Sequence, residues 1–211
     1  MCISAHCLIE VLAYAGTDDG TTRYGYVKLN SVPVWRASYA GPFPNLRGVN
    51  IIHVDALKCS ALESRHFDTF WDWKFSDELS QYIQQLSDWS IIVGATADEP
   101  TRRLHTALPI LREIGVDVTD VGWRGAFAFL TQKGFPADSV LRKYNRPESY
   151  TNQPQFNVTV MGEKNTNSPC CCRDVARPLS RRRSPNSPPE ICPPKIRRKK
   201  LQRAELAAEF C

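Results

Sequence analysis

No stretch of eighteen consecutive apolar residues occurs in this sequence, so no segment reads as a membrane-spanning helix. A Gly-rich phosphate loop and a G-x-S-x-G elbow are also missing, which removes the two commonest signatures of nucleotide and acyl-transfer chemistry. No C-x-x-C and no Cys/His pair stands at ligand spacing, and the adjacent Cys170, Cys171 and Cys172 cannot all turn toward one tetrahedral ion. Neither a metal nor another cofactor is expected. The four histidines, His6, His53, His66 and His105, have no nucleophile signature beside them, so no catalytic residue is assigned and an enzyme is not expected.

A general excess of positive charge is absent too. The formal net charge of +5 belongs to the end of the chain alone. From Asn165 onward there are eleven Lys and Arg against four Asp and Glu, whereas the residues before it carry sixteen against eighteen. Any nucleic-acid reading can therefore apply only to that tail, through "RRRSP" and "KIRRKK", and the body is not expected to bind nucleic acid. The tail holds seven of the fifteen prolines and a single aromatic residue, Phe210. It offers too little apolar surface to offset the entropy of ordering it, so 165–211 is expected to be a disordered, basic tail and 1–164 the folded domain.

Three cysteines, Cys2, Cys7 and Cys59, fall in the body and five in the tail. The odd count allows at most one disulfide within the body, and Cys7 with Cys59 is the pair to examine first. "MCISAHCLIEVLAYAG" is apolar, but it has no basic leader and Glu10 interrupts it, so it reads as a first strand rather than a signal peptide.

What is present alternates strand signals with two helix signals. Strands are expected over Cys7–Ala15 and Arg23–Asn30, joined by the turn-forming "GTDDGTT", and over Gly48–Ala56 followed by "LESRHFD" as a hairpin. A helix is expected from Ser76 as N-cap, with Asp77 and Glu78 in its first turn and Leu79, Tyr82, Ile83 and Leu86 forming one apolar stripe. "SIIVGAT" is a continuous apolar run of strand length, the pattern of a central strand buried on both faces. A second helix is expected after "ADEP", capped by Asp98, striped by Leu104, Leu108, Leu111 and Ile114, kinked at Pro109 and ended by Gly115. "AFAFL" and Phe156–Gly162 complete the strands. The order β-β-β-β-α-β-α-β-β is not a βαβ repeat and fits an α+β protein with mainly antiparallel sheets.

Two aromatic features stand out. "FDTFWDWKF" (Phe67–Phe75) is expected to plug the start of the first helix, the alternative being an exposed shelf for a ligand. "DVGWRGAFAFL" places Trp123 and Arg124 between two glycines at the mouth of a core strand. Either Trp123 caps the core and Arg124 pairs with a surface carboxylate, or the indole and the guanidinium face a sugar, which presents both an apolar C–H face and a rim of hydroxyls.

The succession "NLRGVNIIHVD", "SRHFDTF", "SIIVGATADE" and "GWRGAFAFLTQKG", in this order across Cys7 to about Val160, resembles the ILEI/PANDER domain, named after interleukin-like EMT inducer and pancreatic-derived factor. The resemblance implies two antiparallel sheets with short flanking helices and no catalysis by the domain itself. It further implies an extracellular or secretory setting, where "NVT" at Asn157 would be a glycosylation acceptor. Its functions in that family are lectin-like binding of N-acetylglucosamine-type glycans and cytokine-like signalling. The partner is then a glycan or glycoprotein, or alternatively a cell-surface receptor protein. The carbohydrate-binding arginines and aspartate of the lectin-like members fall on Arg47, Asp98 and Arg124 here, with Trp123 beside them. Asp98 is expected to orient both guanidinium forks.

Overall fold

In the computed structural model, residues 4–16, 23–134, 140–144, 153–163 and 196–197 are described. Among the described residues, ten strands form two five-stranded antiparallel sheets. The first sheet runs β10 (Ile196–Arg197), β9 (Gln155–Glu163), β1 (Ser4–Leu12), β2 (Arg23–Leu29), β3 (Val32–Tyr39). The second runs β5 (Ser60–Phe67), β4 (Gly48–Asp55), β6 (Ile91–Ala97), β7 (Phe127–Gln132), β8 (Leu141–Tyr144). Two helices, α1 (Lys74–Gln85) and α2 (Leu108–Glu113), lie beside the second sheet. Apart from β10, the expected basic tail lies outside the described residues, as does the "TDDGTT" turn. Among the described residues no helix is long and apolar enough to cross a membrane.

The second sheet is the middle layer, and strand alternation explains how it serves two cores. Successive side chains on a strand point to opposite faces. On β6, Ile91, Val93, Ala95 and Ala97 enter the core shared with the first sheet, while Ile92 enters the core shared with the helices. Likewise Ala128 and Leu130 of β7 face the first sheet, and Phe127 and Phe129 face the helices. Every residue of β6 is buried, as its unbroken apolar run predicted. Gly94 is the necessary exception in size: a Cβ there would lie 2.1 Å from the Phe129 ring, its partner on β7. Leu79 and Ile83 of α1 are fully buried against this face, each contributing about 1.5–3 kcal/mol by leaving water.

A disulfide joins the two sheets. Cys7 of β1 is bonded to Cys59, in the turn between β4 and β5, as the cysteine pairing predicted.

Several local expectations are corrected. α1 begins at Lys74 and Ser76 is buried inside it, where its hydroxyl accepts from the Ala107 N–H at 3.0 Å and so ties the start of α1 to α2. α2 spans only Leu108–Glu113, with Pro109 in its first turn instead of at a kink, where the missing N–H has no partner to lose. Asp98 caps no helix. Gly115 does end α2, at φ +80°, with Val116 N–H reaching back to the Leu111 carbonyl. β3 and β8 are strands that periodicity did not reveal. Both are sheet edges, where Pro33 and the exposed Arg142-Lys143-Tyr144 cost no central ladder.

Candidate functional site

One end of the middle sheet gathers the candidate residues. Gly48 pairs with Ala97 there, β5 ends at Phe67, and β7 begins at Phe127. The segments leaving these strands therefore meet: Arg47 before β4, Asp68–Trp73 after β5, Asp98–Arg103 after β6, and Gly122–Gly125 before β7. The "RG" pair has a steric origin. Gly48 sits at φ +107°, and a Cβ on it would lie 2.2 Å from the Phe67 carbonyl oxygen.

Arg47 is half-buried, and its fork is held by Asp68. Nε donates to Oδ1 at 3.1 Å and the Nη2 group to Oδ2 at 2.9 Å. This bidentate geometry is the strongest form of arginine–carboxylate pairing. Hydrogen bonding to Asp68 raises the guanidinium pKa, and the charge of Asp98 adds to this. The guanidinium also lies 4.1 Å from the centre of the Phe70 ring. Asp98 therefore acts on Arg47 through space but does not orient its fork, contrary to the expectation; Asp68 does. The Asp98 carboxylate instead accepts from Asn45 Nδ2 at 3.3 Å, and Asn45 Oδ1 accepts from the buried Tyr14 hydroxyl at 3.3 Å. Burial, and then the Asp98 charge, raise the Tyr14 phenol pKa.

Trp123 is 51 % exposed, so it does not seal the core. Its ring is tilted against Phe70 at 6.1 Å, and Arg102 lies 4.7 Å from Phe70 and 6.0 Å from Trp123. Arg47, Phe70, Arg102 and Trp123 thus form one continuous cation–aromatic surface. The expected plug at Phe67–Phe75 is only partly realised. Phe67 is buried and Phe75 packs beside the helix core, but Trp71 and Trp73 are 70 % and 59 % exposed.

Glu99 organises this end from beneath. It is 2 % exposed, and Oε1 accepts from the Thr101 N–H at 2.7 Å, the Thr101 hydroxyl at 2.6 Å and the Arg102 N–H at 3.0 Å. Its other oxygen accepts from the Arg124 N–H. One buried carboxylate therefore fastens the β6 exit to the Trp123–Arg124 loop. The left-handed turn of this loop does not fall on its glycines, Gly122 and Gly125. Arg124 itself adopts φ +56°, and Asp98 adopts φ +58°. A left-handed backbone on non-glycine residues costs about 1–3 kcal/mol and persists only where surrounding contacts impose it.

Arg47, Asp98, Trp123 and Arg124 thus come to one end of the sheet, Arg47 and Trp123 both against Phe70 and Arg124 tied to Asp98 by the adjacent Glu99. Sequence reasoning missed Asn45, Asp68, Phe70, Glu99 and Arg102. Asp68 and Phe70 stood in the quoted "FDTF", and Glu99 in the quoted "SIIVGATADE".

Residues 47–135 match the family model for Interleukin-like EMT inducer. The cell migration-inducing and hyaluronan-binding protein of Mus musculus is 34 % identical over 96 residues, and that of Homo sapiens is 33 % identical over 96 residues. Each match covers 44 % of this chain and 7 % of the much longer relative. The matched region begins at Arg47 and contains β4 to β7 and both helices, which is most of the middle sheet and its helical cover. Over residues 47–135 the chain is similar to the interleukin-like EMT inducer family, and all four candidate site residues lie inside that segment.

Proposed function

We propose that the domain is a non-catalytic, lectin-like module that binds N-acetylglucosamine-containing glycans in an extracellular or secretory setting. The observation that carries this reading is the exposed Trp123 indole set beside Arg47, Asp98 and Arg124 at one end of the middle sheet. An indole face suits the C–H face of a sugar ring. The guanidinium groups donate to hydroxyl and acetamido oxygens, and Asp98 accepts from sugar O–H or N–H groups. The left-handed backbone at Asp98 and Arg124 supports a site held in shape before ligand arrives. The Cys7–Cys59 disulfide favours an oxidising compartment. The exposed Asn157 of β9 is placed to carry a glycan there. The matched relatives are named for binding hyaluronan, itself a glycan.

The face is open, so affinity for a single sugar is expected at millimolar to high-micromolar Kd, about 4–6 kcal/mol. Titration of the full chain with N-acetylglucosamine and its oligomers, followed by two-dimensional NMR, tests the assignment. Binding should shift the Trp123 indole signal, and Asp98→Ala and Arg124→Ala should abolish the shifts. Unchanged shifts in both variants would show that the glycan, if bound, sits elsewhere.

A second reading is favoured by Trp71 and Trp73, whose exposed indoles are of the type that anchors protein interfaces. In this reading the domain is a cytokine-like ligand of a receptor protein. Binding to cells that survives enzymatic deglycosylation, and is lost in Trp71→Ala/Trp73→Ala, supports it over the glycan reading.

A further inference from the structure

The opposite end of the middle sheet carries a second recessed site. β4 and β6 pair from Gly48 with Ala97 to Val54 with Ile91, a run of about 20 Å at strand rise. At the Val54 end lies a cleft of about 390 Å³ between the β4–β5 turn, the α1–β6 turn and the end of β7. This is within the size range of small-ligand pockets. Its lining includes Asp55 and Asp88, the exposed Leu57 and Leu62, and Trp89; Asp55 Oδ1 already accepts from the Leu57 and Lys58 N–H groups, at 2.9 and 3.1 Å.

Trp89 is set there at a cost. It adopts φ +72°, an outlier for a bulky residue, and its indole-bearing side chain is 40 % exposed. Two hydrogen bonds from the end of β7 impose this: its N–H donates to the Lys133 carbonyl at 2.8 Å, and its carbonyl accepts from Gln132 Nε2 at 2.9 Å. Gln132 is 2 % exposed and lines the cleft, yet its Oε1 has no hydrogen-bond partner among the described residues. A buried acceptor of this kind is rare unless a ligand or solvent meets it.

The electrostatics are one-sided. Among the described residues no Lys or Arg lines the cleft. Lys133 is drawn away to the Gln84 and Leu86 carbonyls at the end of α1, and Lys58, paired with Asp55 at 3.7 Å, projects into solvent. Burial lowers the His53 imidazole pKa against the opposing pull of Glu63 and Asp55, which disfavours a positive charge there.

We propose that this cleft binds an arginine side chain presented by a partner protein between apolar neighbours. The guanidinium would stack on Trp89 and donate to Asp88 and Asp55, with the flanking residues resting on Leu57 and Leu62. The site is separate from the glycan-binding face and does not depend on it.

NMR titration of the full chain with the blocked peptide acetyl-Leu-Arg-Leu-amide tests this, with acetyl-Leu-norleucine-Leu-amide as the uncharged control. The indole signal is assigned through Trp89→Phe. The arginine peptide should move the Trp89 indole and leave Trp123 unmoved, and the norleucine peptide should not bind. Asp88→Asn, at an exposed position, should weaken binding about tenfold, the size of one charge-assisted hydrogen bond. Equal binding of the two peptides, no shift with either, or an unaffected Asp88→Asn variant would each overturn the assignment. A Trp89 shift on replacing Arg181, Arg182 and Arg183 by glutamine, with no peptide present, would give the cleft to the chain's own tail instead of a partner.

Discussion

Replacing Glu99 by glutamine isolates what holds the Trp123–Arg124 loop in place. The carboxylate accepts three hydrogen bonds on Oε1, from Thr101 and Arg102, and one on the other oxygen from the Arg124 N–H. Glutamine can keep only one of these two acceptor sets. In the better orientation its amide oxygen stays with Thr101 and Arg102, and its NH₂ group meets the Arg124 N–H donor to donor. The Arg124 bond is then lost and a partly buried N–H loses this acceptor, a cost of about 1–3 kcal/mol. For a chain of this size, at about 2–4 °C per kcal/mol, that corresponds to a fall in Tm of about 2–12 °C. Glu99→Ala removes all four bonds and should cost more than Glu99→Gln. Because Arg124 holds φ +56° against its intrinsic preference, the loop should relax once the anchor goes. Three measurements check this: thermal unfolding by circular dichroism, hydrogen exchange at the Arg124 amide, and the glycan-induced shift at Trp123. The expected outcome is a lower Tm, an Arg124 amide that exchanges quickly while β6 and β7 stay protected, and weakened glycan shifts. A Glu99→Gln protein that melts with the wild type and keeps a protected Arg124 amide would refute the anchoring role.

Reduction of the Cys7–Cys59 bond, or the paired Cys7→Ser/Cys59→Ser change, releases a cross-link 52 residues apart in sequence and should destabilise the domain by about 4 kcal/mol on the loop-entropy relation. Chemical denaturation with and without reductant reads this, and coincident curves would count against it. Burial and the Glu63 carboxylate push the Tyr82 phenol up to about 12. The folded state holds this proton more tightly than the unfolded chain, so its contribution is complete below the ordinary phenol range near pH 10 and is lost as the pH rises toward 12. Tyr82→Phe should flatten the alkaline fall in stability, and an unchanged alkaline limb would contradict the assignment.

Legibility in the sequence followed the strength of each physical signal. "SIIVGATA" announced a doubly buried strand because both faces demand apolar residues, and the stripe of Leu79, Tyr82 and Ile83 announced α1 because one helical face does. The cysteine count led to the pairing that joins the sheets. β3 stayed hidden because Pro33 argues against a strand, and only its position at a sheet edge makes that proline harmless. α2 was drawn too early because Asp98 and Pro100 imitate a helix start, whereas the turn at 99–102 is closed by the Glu99 side chain before the chain reaches Leu108.

The sequence by itself determined the doubly buried strand β6 and the apolar stripe of α1, and the motifs that carry its resemblance to the ILEI/PANDER domain imply the four residues proposed to meet a sugar. These are local properties, written in the spacing of apolar side chains and in short motifs. Tertiary structure alone decided the partners of those four residues. Asp68 rather than Asp98 takes the Arg47 fork, Phe70 links Arg47 to Trp123, and Glu99 reaches the Arg124 N–H. Such pairings depend on which strand ends the sheet brings together, and a hydrogen bond between residues 25 apart leaves no periodic mark on the chain.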